Sequence, residues 1–426
     1  MRVLVLGGYG LIGLEVCKAL LRAGHEVVGL ARSERRGRAL LPEAGWRGAD
    51  IAGLTRPQDW QPLLAGIDAV VNASGLLQTG LKDDVAATQR DAIVALIAAC
   101  EDAGPRKYIQ ISAPGAETDA ATAFMRTKGQ ADAALRASAL DWIIFRPGLV
   151  LAPTAYGGTS LLRMLAAFPL VQPIILPQAR MQSVAVDEVA AAVLTALETD
   201  LARREFDLVE DEAQTLEEIV RSIRAWQGFA PARATWTLPR RVGDAIAAGA
   251  DMAGWLGWRS ALRSTAVKVL ALDVVGDPAP WRQVGGRPLK SLQQTLRALP
   301  STAQERLYAR GRLVFPVLLL LMSAFWIVSG LVAAGQVDAA AAVLSGRLPG
   351  WAILLGAAAD IAIGLGLLVR RFVRPACIAA IAVCGAYLVG GTILAPQLWA
   401  DPLGPLMKVF PVIALALAVA ALAEER

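Results

Sequence analysis

Three glycines at three-residue intervals, Gly7, Gly10 and Gly13, punctuate an otherwise apolar stretch that reads Gly7-Gly8-Tyr9-Gly10-Leu11-Ile12-Gly13. Glycine at this spacing suits a backbone that must turn tightly, approach a bulky anion and let a following helix pack closely on a strand. The amides from Gly10 through Leu11, Ile12 and Gly13 would then face a pyrophosphate. Further on, Arg32 and Ser33 offer a guanidinium beside a hydroxyl, a pair suited to a phosphate. Much later, two ionisable residues of opposite sign, Asp360 and Lys408, each stand alone within a long apolar run. A single histidine, His25, excludes a two-histidine metal centre and an HExxH zinc site, and any Ser-His-Asp triad would have to be built on it. Cys17, Cys100, Cys377 and Cys384 include no CxxC pair and read as small packing residues.

The glycine stretch needs a strand before it and a helix after it, and the sequence supplies both. A β-branched and leucine run from Val3 to Leu6, an apolar-periodic segment from Leu11 to Ala23 and a second strand from Glu26 to Leu30 make a βαβ unit. No carboxylate lies among the strand-end residues Gly29 to Ser33 to accept from both ribose hydroxyls, and Arg35 and Arg36 follow. NADP(H) is therefore the preferred cofactor, with NAD(H) admissible. Further strands at Asp68–Asn72, Lys107–Ser112 and Trp142–Phe145 run into Ala73-Ser74-Gly75, Ala113-Pro114-Gly115 and Arg146-Pro147-Gly148. In a doubly wound parallel α/β sheet the carboxyl ends of strands form the ligand crevice. Ala73, Ser74, Gly75 and Pro147 are expected at its nicotinamide half, and Asp50 and Ile51 at the adenine. Residues 151–300 carry loop-rich and helical patterns, with strands near Ser183–Val186 and Phe206–Val209, Asp187 as a helix N-cap and a helix from Thr215. Trp255, Leu256, Trp258 and Leu262 lie among Arg240, Arg241, Arg259 and Arg263, a pattern that fits a helix on a bilayer surface or one packed on the body.

Composition divides the chain in two. It is 426 residues long, 55% hydrophobic and 19% charged, and only 8 of its 79 charged residues fall between Leu313 and Ala423. Four apolar runs, near 313–334, 348–369, 375–395 and 402–423, each have about the 20 residues that span a bilayer, after a linker at 301–312. Short connections imply an up-down-up-down all-α bundle. Arg306, Arg310 and Arg312 precede the first run and Arg370, Arg371 and Arg374 join the second to the third, whereas the opposite side carries Arg347 with Asp338 and Asp401. The expectation is a multi-pass protein of the inner, cytoplasmic membrane, without a signal peptide, whose body and both termini are cytosolic. Asp360, too costly to leave facing lipid, is expected to turn inward and meet Lys408, the alternative being that Lys408 snorkels outward and a protonated Asp360 hydrogen-bonds to backbone. The net charge of +5 is thinly spread, with no basic block interleaved with aromatics, so nucleic acid is not an expected partner.

The body, over roughly Met1 to Pro300, resembles the atypical and extended short-chain dehydrogenase/reductases, especially NmrA-like members and the nucleotide-binding accessory subunit of respiratory complex I. The glycine turn, Asp50-Ile51, Asn72 to Gly75, Ser112, Lys128 and Arg146-Pro147-Gly148 carry that resemblance. It implies a small substrate subdomain over residues 151–300, a catalytic serine at Ser112 and a tyrosine–lysine pair in which Lys128 lowers the tyrosine pKa and holds the nicotinamide ribose. The tyrosine position, however, is Phe124. A phenyl ring carries no exchangeable proton, so the family's acid/base step cannot run there; Tyr156 is the one alternative acid nearby in sequence. The tail resembles DoxX-like membrane domains, most strongly in Asp401 to Pro411 and around Asp360, which implies association with quinone-linked or thiol-linked redox systems. Two functions follow as expectations: redox chemistry on a quinone-like or other lipophilic acceptor, or a catalytically silent NADP(H)-binding sensor or assembly module at the membrane.

Overall fold

Seven strands run parallel in one sheet of the computed structural model: β1 (Arg2–Leu6), β2 (Glu26–Ala31), β3 (Gly45–Gly48), β4 (Ala69–Asn72), β5 (Lys107–Ile111), β6 (Asp141–Pro147) and β7 (Arg204–Leu208). The structure describes residues 1–76, 80, 84–258, 262–344 and 346–423. The sheet order is β7-β6-β5-β4-β1-β2-β3, in which the chain reverses direction of growth between β1 and β4, the switch point where such sheets open a ligand crevice. Central strands are apolar on both faces: Val3, Leu4, Val5 and Leu6 are all fully buried, because helices cover the sheet on either side. Val3, Val5, Ile109, Ile143 and Phe145 join one core cluster, while Leu4, Leu6, Val70, Tyr108 and Ile144 face the other.

The helices that follow the strands are α1 (Leu11–Arg22), α2 (Glu34–Leu40), α3 (Pro57–Leu64), α4 (Ala92–Ala103), α5 (Ala123–Ala137) and α6 (Val186–Glu198). Asp187 does not cap α6; Ala185 holds the N-cap position, Glu188 Oε2 accepts from its amide at 3.2 Å, and Asp187 pairs with Lys290 Nζ at 2.7 Å. The buried indole of Trp46 on β3 fills the space left by three glycines: a Cβ on Gly29 or Gly37 would lie 2.5 or 2.3 Å from its ring, and one on Gly8 3.2 Å. The Cys17 thiol lies 3.6 Å from the Gly8 carbonyl, and burial pushes it up to about 12, so it is inert packing.

Two compact units emerge: Met1–Asp251 with Ser260–Ala303, and Met252–Arg259 with Gln304–Arg426. In the second unit, three helices are long and apolar enough to cross a bilayer among the described residues: α7 (Ala303–Gly335), a stretch Arg370–Leu394 that contains α9 (Val373–Leu394), and α8 (Gly350–Leu368) between them. Expected linker residues from Ala303 on are instead the first turns of α7, since Ala303 to Arg310 are mostly good helix formers and the single Gly311 does not end the helix. The fourth run forms a shorter helix, α10 (Val409–Leu422), of 14 residues. At 1.5 Å per residue this is about 21 Å. Residues from Pro402 onward do not join it because Pro402 and Pro405 lack amide donors, Gly404 is left-handed (φ +55°) and Asp401 Oδ1 accepts from Leu403 N at 2.7 Å. Helices α7 and α8 approach closely at glycines: a Cβ on Gly330 would lie 2.5 Å from the Ala357 carbonyl, and one on Gly364 2.5 Å from Ile327.

Candidate nucleotide site and membrane carboxyl

The turn after β1 is built by backbone alone. Gly7 is left-handed (φ +67°), its carbonyl accepts from Gly10 N at 2.7 Å, and Gly10 opens α1 in an extended conformation with no side-chain cap. The first-turn amides of a helix have no partner within it, so those of Leu11, Ile12 and Gly13 are available for an anion at the positive end of the helix dipole. A Cβ on Gly7 would lie 2.9 Å from the Ala73 carbonyl, which places the turns after β1 and β4 against each other at the switch point.

At the end of β2, Arg32 is exposed and Ser33 caps α2 by accepting from Arg36 N at 3.3 Å. The Arg36 guanidinium lies over the Tyr9 ring, 5.5 Å from its centroid. Sequence reasoning passed over Glu34, the carboxylate next in line. Its oxygens are engaged by Gly48 N and Arg38, both at 2.9 Å, so it braces β3 and α2. Asp50 is exposed and holds a short turn through Ala52 N at 3.4 Å, with Ile51 buried beside it.

At the other half of the crevice, Asn72 Oδ1 accepts from Ser74 N at 3.0 Å and Ser74 Oγ at 2.6 Å, while Asn72 Nδ2 donates to Gln110 Oε1 at 2.9 Å. Lys128 on α5 is buried, donates from Nζ to the Ile111 carbonyl at 2.8 Å and lies beneath Gly75, whose Cβ would sit 3.8 Å from that nitrogen. Burial lowers its pKa to about 8, against the opposing pull of Asp132. Phe124, one helical turn earlier, is half-buried with its ring centroid 5.9 Å from Nζ. Ser112 does not face open crevice: its hydroxyl donates to Asp132 Oδ2 at 2.5 Å. Asp132 is fully buried, its pKa raised by desolvation against Ser112 and the charges of Lys128, Arg146 and Arg136. The i,i+4 spacing of Lys128 and Asp132 on one helix was the signal that could have found it. Pro147 is buried at the end of β6, and its neighbour Arg146 is committed to Glu205 at 2.5 Å. Tyr156 is 63% exposed.

A lysine poised near 8 ties two observables together with opposite signs. As pH rises through about 8 the ammonium is lost, so the part of nucleotide affinity that it supplies should fall between pH 7 and 9. Over the window from about 8 to the ordinary 10.5, the unfolded chain holds the proton that the folded one has released, so stability should rise with pH. Titration and denaturation of the native chain beside Lys128→Met check this: the difference between the two chains isolates the lysine, because the variant keeps the opposite contribution of buried thiols such as Cys17, whose stability effect falls as pH rises above about 9.

In the membrane unit Asp360 is buried at mid-helix, and its partners come from two other helices: Tyr387 Oη donates to Oδ1 at 2.8 Å and Ser329 Oγ to Oδ2 at 3.4 Å. Lys408 is exposed at the start of α10. The structure does not bring the expected pair together; neutral hydroxyls satisfy the carboxyl, while the flexible lysine stem carries its charge outward.

Residues 7–200 match the family described as NAD(P)H-binding, and residues 323–417 match the DoxX-like family. The chain is 35% identical over 150 residues to the photosystem II assembly factor Ycf39 of Synechocystis sp., covering 34% of this chain and 44% of that protein, so it spans less than half the length of this relative. Among solved structures, the UDP-glucose 4-epimerase of Thermus thermophilus, in complex with NAD, is similar at a TM-score of 0.53 and 20% identity, covering 73% of this chain and 99% of that one. The Bordetella bronchiseptica enzyme WbmH, in complex with NAD+, is similar at 0.53 and 16% identity, covering 72% and 98%. At these identities the structural likeness shows the fold. The glycine turn at the switch point of a parallel sheet and the apolar helices beyond it thus agree with both matches: residues 7–200 carry an NAD(P)H-binding domain of Rossmann-like fold, and a C-terminal DoxX-like domain follows at residues 323–417, where the described helices include three long and apolar enough to cross a membrane.

Proposed function

We propose that this chain is a membrane-anchored, NADP(H)-binding protein whose nucleotide site works as a sensor or assembly module and does not reduce carbonyls. The observation that carries this reading is the fate of the three catalytic positions: Phe124 has no proton to give, the Ser112 hydroxyl is spent on Asp132, and only Lys128 keeps a form able to bind ribose. Similarity to a protein named as an assembly factor supports it. A second reading is direct hydride transfer to a quinone-like acceptor, a step that needs no tyrosine acid; the DoxX-like match favours it. The proposal includes a nucleotide core at 1–150, a substrate subdomain to about residue 300, and insertion in the inner membrane with the arginine-flanked helix ends and the body cytosolic.

Glycine-turn amides of Leu11, Ile12 and Gly13 would hold the pyrophosphate, Asp50 and Ile51 the adenosine side, Ala73, Ser74, Gly75 and Pro147 the nicotinamide side, and Arg32 with Ser33 a 2′-phosphate. When bound, the nicotinamide supplies a hydride donor or acceptor; the chain's own residues position it. Calorimetry on the purified full chain should give NADPH binding several-fold tighter than NADH, a preference that Arg32→Ala removes. The same preparation should consume NADPH with neither aldehydes nor quinones. Brisk quinone-dependent consumption would replace this reading with the second, and equal affinities for the two nucleotides would remove Arg32 from the phosphate site.

A further inference from the structure

Aromatic and basic residues converge where the apolar helices meet their flanking arginines. Within the second unit, Trp258 Nε1 donates to the Leu368 carbonyl at the end of α8 at 2.7 Å, and its ring packs on Phe315 of α7 with centroids 5.9 Å apart. The Arg370 guanidinium lies over that indole, 5.4 Å from the centroid, while its Nη2 donates to the Ala423 carbonyl at the end of α10 at 2.6 Å. Arg370 N donates to the Leu256 carbonyl at 3.0 Å, and the left-handed Gly257 passes close beside the Arg370 side chain. Residues 252–258 are therefore fastened to the end of α8, to Phe315 within α7 and, through Arg370, to the end of α10. Arg259 lies outside the described residues.

What this segment turns outward is apolar. Met252 is 72% exposed and Trp255 73%, with Leu256 beside them. A single exposed tryptophan on a soluble surface needs no explanation, but these side chains belong to a segment held against apolar helices and against Arg370, which Arg371 and Arg374 follow in the sequence. An indole with an apolar body and a polar N–H is favoured at the boundary of a bilayer, and arginine favours the phosphates just outside it.

We infer that Met252, Trp255 and Leu256 insert into the headgroup–acyl boundary of the bilayer, so that the segment joining two parts of the nucleotide-binding unit is itself a second membrane attachment. This rests on the reading that the second unit spans the membrane. The occupant is lipid, because the segment's own contacts are with membrane helices and its neighbours are cationic.

The test uses the full chain in anionic phospholipid nanodiscs with a nitroxide at Trp255→Cys, at Leu321→Cys on the apolar stretch of α7, or at Arg38→Cys on the body. The native thiols are buried, and the unsubstituted chain reports any background labelling. Collision with oxygen against collision with a polar nickel chelate measures depth. The Trp255 site should give a ratio several-fold above the Arg38 site and below the Leu321 site. A ratio equal to that at Arg38 would place the segment in water, and exclusion of both reagents would mean that protein covers it; either overturns the inference. If the Leu321 site is itself open to the chelate, the membrane reading fails first.

Discussion

Gly13→Ala is expected to weaken nucleotide binding by on the order of a hundredfold, although the same exchange stabilises an ordinary helix by about 1 kcal/mol. The added Cβ would lie 2.2 Å from the Gly7 carbonyl oxygen, 2.9 Å from its carbon and 3.2 Å from Gly8 Cα, and all three are backbone. No side chain can swing aside, so α1 must retreat from the turn. Overpacking of this kind costs about 1–3 kcal/mol, and the retreat also moves the first-turn amides that would hold the pyrophosphate. Displacing an array of short hydrogen bonds to an anion should lower affinity by on the order of a hundredfold. Gly158→Ala, at an open helical position with nothing nearby, should leave nucleotide affinity unchanged and stability unchanged or raised by up to about 1 kcal/mol. Chemical denaturation paired with NADPH fluorescence titration checks both variants. Retained affinity in Gly13→Ala would mean that the phosphates are held elsewhere.

The native chain should show no NADPH-dependent reduction of aldehydes or ketones, and Phe124→Tyr should create a slow one. A positioned general acid contributes on the order of 10²–10⁴ in rate, which is the size of the deficit that Phe124 imposes. The exchange would set a phenol one helical turn from Lys128, whose amine near 8 is suited to lowering the phenol's pKa. The gain should fall short of the full factor because Ser112 is still drawn to Asp132. A panel of small carbonyls followed by NADPH absorbance decides it. Brisk reduction by the native chain would show that a different donor, with Tyr156 the first to examine, serves the site.

The turn proposed to hold the nucleotide was legible in the sequence because it is made from backbone. Gly7, Gly10 and Gly13 announce a turn whose geometry permits little else, and the strand ends at Asn72 and Pro147 follow from short apolar runs closed by turn residues. What the sequence hid were partners chosen by three-dimensional proximity. Asp132 takes Ser112 from a strand twenty residues away, and Glu34 turns to β3 instead of the crevice. Asp360 finds Tyr387 and Ser329, neutral groups that leave no charge pattern to read, whereas Lys408 looked like the natural mate only because it was the other charge. The start of α10 at Val409 was obscured for a related reason: Pro402 and Pro405 are apolar by composition and extend a hydropathy run that their backbones cannot continue as helix.

Trp46 places a constraint on how this chain can change over generations. The space its indole fills exists because Gly8, Gly29 and Gly37 have no side chains, and those three residues come from the glycine turn, from β2 and from α2. Any one glycine that acquires a methyl group meets the ring, and a ring exchanged for a smaller side chain leaves a cavity with three bare backbones around it. The four positions therefore drift together or not at all. In diverging descendants, loss of the tryptophan should accompany the appearance of alanine or larger residues at Gly29 and Gly37, the two closest to the ring.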